Sequence, residues 1–285
     1  MSLLLTSYRS TPYVSIFENR CRPYGTCWFV VLCPGTSVPG YHMPPLRGWS
    51  EAPEFFRAPL QGAARQIITK KDPVPNHPPT NLTIATTGAS GAIFVRQLLL
   101  AVARDERIEA VNFIASDSAL RVMAEELDIQ GRSNLVERIL GASKSPAKIQ
   151  VQKNQALKIK EQSNADIGAN VASGSYPADA MIVIPCSVGT LARIANGVAS
   201  QLIERAADVS LKEKRPLVLC VRETPLNKIH IRNMYRAADA GATIFPLIPA
   251  YYYGPASLDE MAREFAYRVL AHLSLPQADA FRWKG

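Results

Sequence analysis

The segment Leu82–Gly91, which reads LTIATTGASG, constrains the fold of this chain more than any other stretch. Its first half consists of apolar and β-branched residues, which predicts a buried strand. Gly88 and Gly91 then predict a turn, and apolar residues at helical spacing follow it. A glycine turn at a helix N-terminus presents backbone N–H groups and the positive end of the helix dipole. Together with the Ser90 hydroxyl, this segment predicts a phosphate site, although plain strand–helix connectors use the same pattern.

Regular alternation of apolar and amphipathic segments continues from Asn81 to the end of the chain. Apolar segments typical of buried strands recur at 110–115, 180–184, 216–221 and 243–247, with a weaker candidate at 148–151. Segments with helical periodicity lie between them. The alternation predicts an α/β fold, doubly wound, with a mostly parallel sheet covered by helices on both faces.

The loops that follow these strands share one composition. Residues 88–91, Ser116, 185–190 and 222–225 are rich in Gly, Ser, Thr and Arg, and ligands of such sheets bind beyond the carboxyl ends of the strands. We therefore expect a phosphate-bearing ligand at this edge. The G-x-G-x-x-G fingerprint is missing, and Ser116 stands where a dinucleotide fold carries an acidic ribose ligand. This favours a mononucleotide such as FMN over NAD.

Composition limits the class of protein and its partners. The 285 residues are 47% hydrophobic, which is enough for a sizeable core, and the net charge of +8 is dispersed rather than gathered in one basic block. We therefore expect anionic small molecules as ligands, with no nucleic acid and no membrane span. The five cysteines have neither disulfide-framework nor metal-site spacing. A soluble, cytoplasmic protein without a metal is predicted.

Residues 1–79 differ from the rest of the chain. They hold more than half of the 21 prolines and show no sustained periodicity, apart from a helical-looking piece at 53–70. We predict a poorly ordered N-terminal extension over 1–79, with an organelle-targeting role as the alternative. Residues 80–285 are predicted to form the functional domain.

The candidate catalytic groups are cations, carboxylates and hydroxyls. None of the four histidines lies in the loops after the strands, so a Ser-His-Asp or Cys-His mechanism has little support. Cys186 is interpreted as a small buried residue. The remaining groups suit chemistry in which phosphate is the leaving group. They are Glu126, Arg205, Lys212, Arg222, Glu223, Tyr252 and Arg268.

Several of these segments together resemble one known family. TGASG at 87–91, PCSVGTL at 185–191, LIERAADV at 202–209, KEKRPLVL at 212–219 and RETPL at 222–226 resemble the UbiX flavin prenyltransferases, which include phenylacrylic acid decarboxylase-like flavoproteins. Their order and spacing agree, and so does the ending Arg282-Trp283. The resemblance covers about residues 80–285.

The resemblance implies a flavodoxin-like, Rossmann-type three-layer sandwich that assembles as a dodecamer built of trimers. It implies transfer of a dimethylallyl group from dimethylallyl phosphate to reduced FMN, without a metal. The product, prenylated FMN, would serve UbiD-type decarboxylases in ubiquinone biosynthesis or aromatic acid decarboxylation.

The resemblance also implies roles for single residues. Catalytic roles fall to Glu126, which would act from a neighbouring subunit, to Ser173 and to Glu223. FMN would be held by Gly88, Ala89, Ser90, Ser116, Ser187, Val188, Gly189, Thr190 and Arg222. Dimethylallyl phosphate would be held by Arg205, Lys212, Tyr252 and Arg268. Two positions depart from the family pattern: Ile167 stands where a Trp is usual, and Asp117 where a Lys is common.

Two other functions compete with this one. A flavin-dependent cysteine decarboxylase-like enzyme shares the fold and cofactor, but its chemistry uses a His after the first helix, and no His lies between Asn81 and Ile229. A non-catalytic FMN-binding subunit would need no second phosphate site, whereas Lys212, Glu223 and Arg268 are present.

Overall fold

The computed structural model describes residues 12–20, 26–34, 78–141 and 156–283. The chain divides into two compact units, residues 1–69 and 70–285. In the first unit, strands β1 (Pro12–Arg20) and β2 (Thr26–Pro34) pair antiparallel along their whole length. The helical-looking piece at 53–70 and the strand candidate at 148–151 lie outside the described residues. The assignment of 1–79 as a poorly ordered extension stays a prediction.

The second unit alternates strands with helices. Its strands are β3 (Asn81–Thr86), β4 (Ala110–Ala115), β5 (Ile159–Ser163), β6 (Ala180–Cys186), β7 (Leu217–Val221) and β8 (Thr243–Ile244). Its helices are α1 (Ala92–Arg104), α2 (Asp117–Leu127), α3 (Leu135–Gly141), α4 (Val188–Ala195), α5 (Leu202–Lys212), α6 (Lys228–Asp239) and α7 (Leu258–His272). A short 3₁₀ helix spans Asn170–Ala172.

The six strands form one sheet in the order β5-β4-β3-β6-β7-β8, and every neighbouring pair is parallel. The predicted α/β doubly wound fold is therefore confirmed. The second unit starts near the centre of this sheet with β3 and continues to one side through β4 and β5. The chain then returns and places β6 on the other side of β3. The strand order thus reverses between β3 and β6, and such a switch point is where open α/β sheets bind ligands.

Helices cover both faces of the sheet because successive strand residues point to opposite sides. Leu82 and Ile84 of β3 pack in the cluster that contains α1, α3 and α7, whereas Ala85 packs in the cluster that contains α4 and α5. β3, β4, β6 and β7 are buried almost throughout. These two clusters make the three-layer sandwich that the sequence resemblance implies.

Among the residues that the structure describes, no helix combines the length and the apolar character that a bilayer crossing requires. Within them, no group of three or more His, Cys, Asp or Glu side chains is placed to hold a metal ion.

Candidate functional site

The loops after β3 and β6 are joined at the switch point by one threonine. Thr87 Oγ1 donates to the carbonyl of Pro185 at 2.9 Å and accepts from the backbone N–H of Ser187 at 2.8 Å. Thr87 is buried, so these bonds are shielded from water. The glycine loop and the 185–190 loop therefore form one rigid surface at the carboxyl edge of the sheet.

The glycine loop lies along α2. A Cβ at Gly88 would stand 2.5 Å from Ser118 Oγ, so no larger residue fits without movement of the start of α2. Gly91 has a φ of 123°, a conformation that favours glycine. Within the loop, Ala89 is buried while Ser90 is exposed. The backbone of the loop thus comes close to α2 and presents the Ser90 side chain outward.

Glu126 holds the other end of this loop. Its carboxylate accepts the N–H of Gly91 at 3.0 Å and the N–H of Ala92 at 2.7 Å. A carboxylate at a helix N-terminus stabilises the helix because it faces the positive end of the dipole. In one chain, Glu126 is therefore the cap of α1, and its predicted action in a neighbouring subunit stays a prediction.

Two further helices begin at the same edge with serine caps. Ser116 Oγ accepts the N–H of Ala119 at 3.1 Å at the start of α2, and Ser187 Oγ accepts the N–H of Thr190 at 3.4 Å at the start of α4. Val188 and Gly189 form the first turn of α4. The N–H groups and dipoles of two helices thus meet beside the switch point, an arrangement suited to an anion.

A polar cavity of about 190 Å³ lies between these two helix starts. It is lined by Ser116, Asp117, Ser118, Asn164, Ser187, Thr190, Arg193, Gln201, Ile203 and Glu204. Three of the predicted FMN ligands are among them, and Arg193 is the lining arginine. Arg193 and Glu204 were not among the predicted site residues, although both fall within or beside the motifs at 185–191 and 202–209. The signal for Arg193 was its spacing of one turn from Thr190, on the same helix face.

The two carboxylates of this lining each have an arginine partner. Asp117 pairs with Arg132 Nη2 at 2.9 Å, and Glu204 pairs with Arg193 Nε at 2.7 Å. Asp117, which stands where a Lys is common in the family, therefore adds no unpaired charge to the cavity.

Arg222 and Glu223 follow β7, one strand further along this edge. The Arg222 N–H donates to the carbonyl of Cys186 at 3.0 Å, which fixes the loop after β7 against β6. Glu223 is exposed and accepts the N–H of Thr224 at 2.9 Å. Cys186 itself is fully buried, and burial raises the pKa of its thiol to about 12. The thiol is therefore protonated at neutral pH, as a structural cysteine would be.

A second group of predicted residues meets at the end of α5. A Cβ at Gly174 would lie 2.6 Å from Lys212 Nζ, so the loop that carries Ser173 touches Lys212. Arg215 Nη2 donates to the Gly174 carbonyl at 2.6 Å and fixes this loop. Lys212 forms an ion pair with Glu213, and the hydrogen bond and charge of Lys212 lower the pKa of the Glu213 carboxyl. Ser173 and Lys212 are thus brought together.

The Ser173–Lys212 group lies at the opposite edge of the sheet from the cavity. The first residue of α5, Leu202, donates to Asn164 just beyond the carboxyl end of β5, whereas Pro216, past the end of α5, accepts from Met181 at the amino end of β6. α5 has 11 residues and is therefore about 16 Å long. One chain does not bring Lys212 to its own cavity.

The remaining predicted residues are spread over the surface. Arg205, on the first half of α5, pairs with Asp208 at 3.0 Å, and Arg268 is exposed on the second half of α7. Tyr252 packs against Trp283 with a centroid distance of 5.4 Å and against Phe281 at 5.6 Å. The loop before the 3₁₀ helix exposes 60% of the surface of Ile167.

Comparison with known proteins gives consistent matches to one family. The sequence profile of the family described as Flavoprotein matches residues 72–262. The flavin prenyltransferase UbiX of Pseudomonas aeruginosa is 38% identical over 211 residues, which cover 72% of this chain and 94% of that protein. The flavin prenyltransferase UbiX of Escherichia coli K12 is 39% identical over 207 residues, with 72% and 98% covered.

Solved structures agree with the sequence matches. A crystal structure described as AnUbiX (PadA1) in complex with FMN and dimethylallyl pyrophosphate has a TM-score of 0.62 and 35% identity, over 73% of this chain and 98% of that one. A dodecameric, FMN-dependent UbiX-like decarboxylase from Escherichia coli O157:H7 has a TM-score of 0.60 and 34% identity, over 72% and 100%.

Proposed function

This chain belongs to the UbiX flavin prenyltransferase family, and on that basis we propose that it transfers a dimethylallyl group from dimethylallyl phosphate to reduced FMN. The observation that carries the proposal is the polar cavity between the serine-capped starts of α2 and α4, beside a glycine loop with no room for a side chain at Gly88. A phosphate suits the two helix N-termini, and the close contact between Gly88 and Ser118 holds the glycine loop against the start of α2, beside the cavity.

The residues present fit FMN at this edge. The phosphate would lie on the hydroxyls of Ser116, Ser187 and Thr190 and on the N–H groups of the first turn of α4, at Val188 and Gly189. Gly88, Ala89 and Ser90 would flank the ribityl chain and ring, with Arg222 closing the site from the next strand. When bound, reduced FMN supplies the ring nitrogen and carbon atoms that accept the prenyl group.

The prenyl donor needs a second set of cations. Lys212, Arg205, Arg268 and the Tyr252 hydroxyl would hold the phosphate of dimethylallyl phosphate. Cations and hydroxyls around a departing phosphate stabilise the negative charge that develops on it and so lower the barrier. Glu223 would stand beside the departing phosphate, while Ser173 and Glu126 would move protons.

An active site that combines the FMN cavity with Lys212 requires more than one chain. Lys212 lies about 16 Å along α5 from the end that borders the cavity, so a neighbouring copy must supply it if both groups serve one reaction. We propose a homo-oligomer built of trimers, with a dodecamer as its full form. A closed, symmetric assembly would give every cavity the same partner residues.

The decisive test is anaerobic incubation of the full chain with reduced FMN and dimethylallyl phosphate, followed by mass spectrometry of the released flavin. We expect a flavin heavier by one C5 prenyl unit. An unmodified flavin from a protein that binds FMN tightly would contradict the proposal and favour the cysteine decarboxylase-like or non-catalytic alternative. An Arg268→Ala variant should still bind FMN but lose the transfer.

Use of the product by a UbiD-type decarboxylase, in ubiquinone biosynthesis or aromatic acid decarboxylation, forms part of the same proposal, as does a cytoplasmic location. A coupled assay in which the flavin product activates an apo-decarboxylase of that type tests the first of these.

A further inference from the structure

Arg193 and Glu204 form an ion pair at the wall of the polar cavity, and the resemblance to the family assigned no role to either residue. Arg193 Nε donates to Glu204 Oε1 at 2.7 Å, and Arg193 Nη2 donates to Thr190 Oγ1 at 3.3 Å. Both residues line the cavity. The arginine side chain is 41% exposed, whereas the glutamate is only 2% exposed. The pair is therefore anchored on its acidic side and open on its basic side.

The guanidinium lies over the start of its own helix. Although Arg193 stands near the end of α4, its Nη1 would be 3.8 Å from a Cβ placed at Gly189, in the first turn. A positive charge at a helix N-terminus is unfavourable, because it faces the positive end of the dipole. Glu204 offsets part of this positive charge from beneath, and an anion in the cavity would offset more of it.

The cavity side of the pair has hydrogen-bonding capacity left over. An arginine carries five N–H groups, and Glu204 and Thr190 take one each. The Nη1 hydrogens have no acceptor among the residues that the structure describes. In the same part of the chain, Glu204 Oε2 is buried without a hydrogen-bond partner. A buried carboxylate held by one partner costs stability, which is expected where the pair serves a ligand.

We propose that Arg193 binds the phosphate of the flavin nucleotide in this cavity, and that Glu204 is the positioning residue that holds its guanidinium over the first turn of α4. The planar fork of an arginine matches the oxygens of a phosphate, and the neighbouring Ser187 and Thr190 hydroxyls complete the set of donors. This inference rests on the proposed function, since it names a further phosphate ligand at the same site.

The test compares a flavin that has the phosphate with one that lacks it. Dissociation constants for oxidised FMN and for riboflavin are measured by fluorescence titration on the full-length wild type, Arg193→Gln and Glu204→Gln, with Arg232→Gln on the exposed face of α6 as the control. We expect Arg193→Gln to weaken FMN binding about tenfold and riboflavin binding less than about twofold. Glu204→Gln should lower the ratio of FMN affinity to riboflavin affinity by a smaller factor than Arg193→Gln does. The double variant should lower this ratio no further than Arg193→Gln alone.

Equal weakening of both flavins, or an unchanged ratio, would overturn the proposal. A purely structural role would lower the melting temperature and affect both ligands alike. If Arg193→Gln does not fold, Arg193→Lys is measured instead, because it keeps the positive charge but not the planar fork of the guanidinium. The ratio of FMN affinity to riboflavin affinity should fall several-fold in this variant. An unchanged ratio would also overturn the proposal.

The titration contains no prenyl donor, so its result is separate from prenyl transfer. A wild type that binds neither flavin would contradict both the proposed function and this inference. A wild type that prenylates FMN while Arg193→Gln keeps the wild-type ratio would contradict the inference alone.

Discussion

At the scale of single residues, the site depends on groups with little freedom to change. Thr87 joins two loops through one hydroxyl, and Gly88 leaves room for α2 only because it has no side chain. Such contacts leave the two loops and the start of α2 little room to move. Contacts within the protein therefore help to decide whether a ligand fits.

Gly88→Ala should weaken FMN binding about tenfold or more, because its Cβ would displace Ser118 and with it the capped start of α2. Fluorescence titration measures the effect. Gly141→Ala is the matched control, since a Cβ there meets none of the described residues within 4 Å. An FMN affinity equal to that of the wild type would show that the loop and α2 separate freely and would contradict the packing argument.

At the scale of elements, the strands with apolar sequences were the predictable part of the fold. β4 has the bounds that its sequence predicted, and β6 and β7 lie within a residue or two of theirs. β5 was missed because Ile159–Ser163 reads IKEQS, a half-exposed edge strand without a continuous apolar run. β8 covers only Thr243–Ile244, although Phe245 and Leu247 still donate backbone hydrogen bonds to the β7 carbonyls of Leu219 and Val221.

The same limit applies to the site. Loops at strand ends can be recognised in the sequence by their Gly, Ser and Thr residues, so the capped helix starts were predictable. For Arg193 the sequence carries only its spacing of one turn from Thr190, and for Glu204 it carries no such signal, because their importance comes from a pairing between two helices and from the burial of Glu204. The edge at which Lys212 lies follows from the predicted alternation, because a helix that leads into a parallel strand ends at the amino edge of the sheet. The pairing of Arg193 with Glu204, by contrast, arises only from tertiary packing.

The cap that α2 provides for α1 gives a prediction at this scale. Glu126→Gln should lower the free energy of unfolding by about 0.3–1 kcal/mol, because a neutral amide interacts less favourably with the helix dipole. Urea denaturation at neutral pH measures the change, with the exposed neighbour Glu125→Gln as control. A loss of prenyl transfer without any loss of stability would indicate that Glu126 acts in the chemistry alone.

Burial of Cys186 within β6 predicts a dependence of stability on alkaline pH. Its pKa rises from 9.0 to about 12 on folding, so above pH 9 the unfolded chain loses this proton while the folded chain retains it. The stabilisation is thus fully present below about pH 9 and is lost as the pH rises toward 12. Urea denaturation at pH 8 and pH 10 should show that the free energy of unfolding falls more between these two pH values for the wild type than for Cys186→Ala. Equal slopes would contradict the assigned pKa.

At the scale of the whole molecule, two separations stand out. The chain divides into units 1–69 and 70–285, and the second holds the six-stranded sheet, the cavity and most of the region that the family profile matches. Within that second unit, the cavity and the Ser173–Lys212 group lie at opposite edges of the sheet. The first separation predicts that residues 70–285 fold without residues 1–69. The second predicts that one active site takes residues from two chains.

A chain that begins at Lys70 should fold and keep its FMN affinity within about twofold, because the six-stranded sheet and its covering helices all lie beyond this point. Circular dichroism and flavin titration on the shortened chain test this against the full-length protein. A shortened chain that is unfolded or binds no flavin would show that residues 1–69 belong to the functional domain.

The distance between the two edges predicts that inactive variants can rescue each other. Lys212→Ala removes a cation at the amino edge, and Gly88→Val displaces Ser118 in the wall of the cavity, so each homo-oligomer should be inactive. If a cavity uses the Lys212 of another chain, mixed assemblies from equal co-expression should regain about a quarter of wild-type activity, because about a quarter of sites pair an intact cavity with an intact lysine. If cavity and lysine of one chain work together, every chain carries one defect and no activity returns. Light scattering must first show that both variants assemble to the same multiple of the 31.2 kDa chain as the wild type.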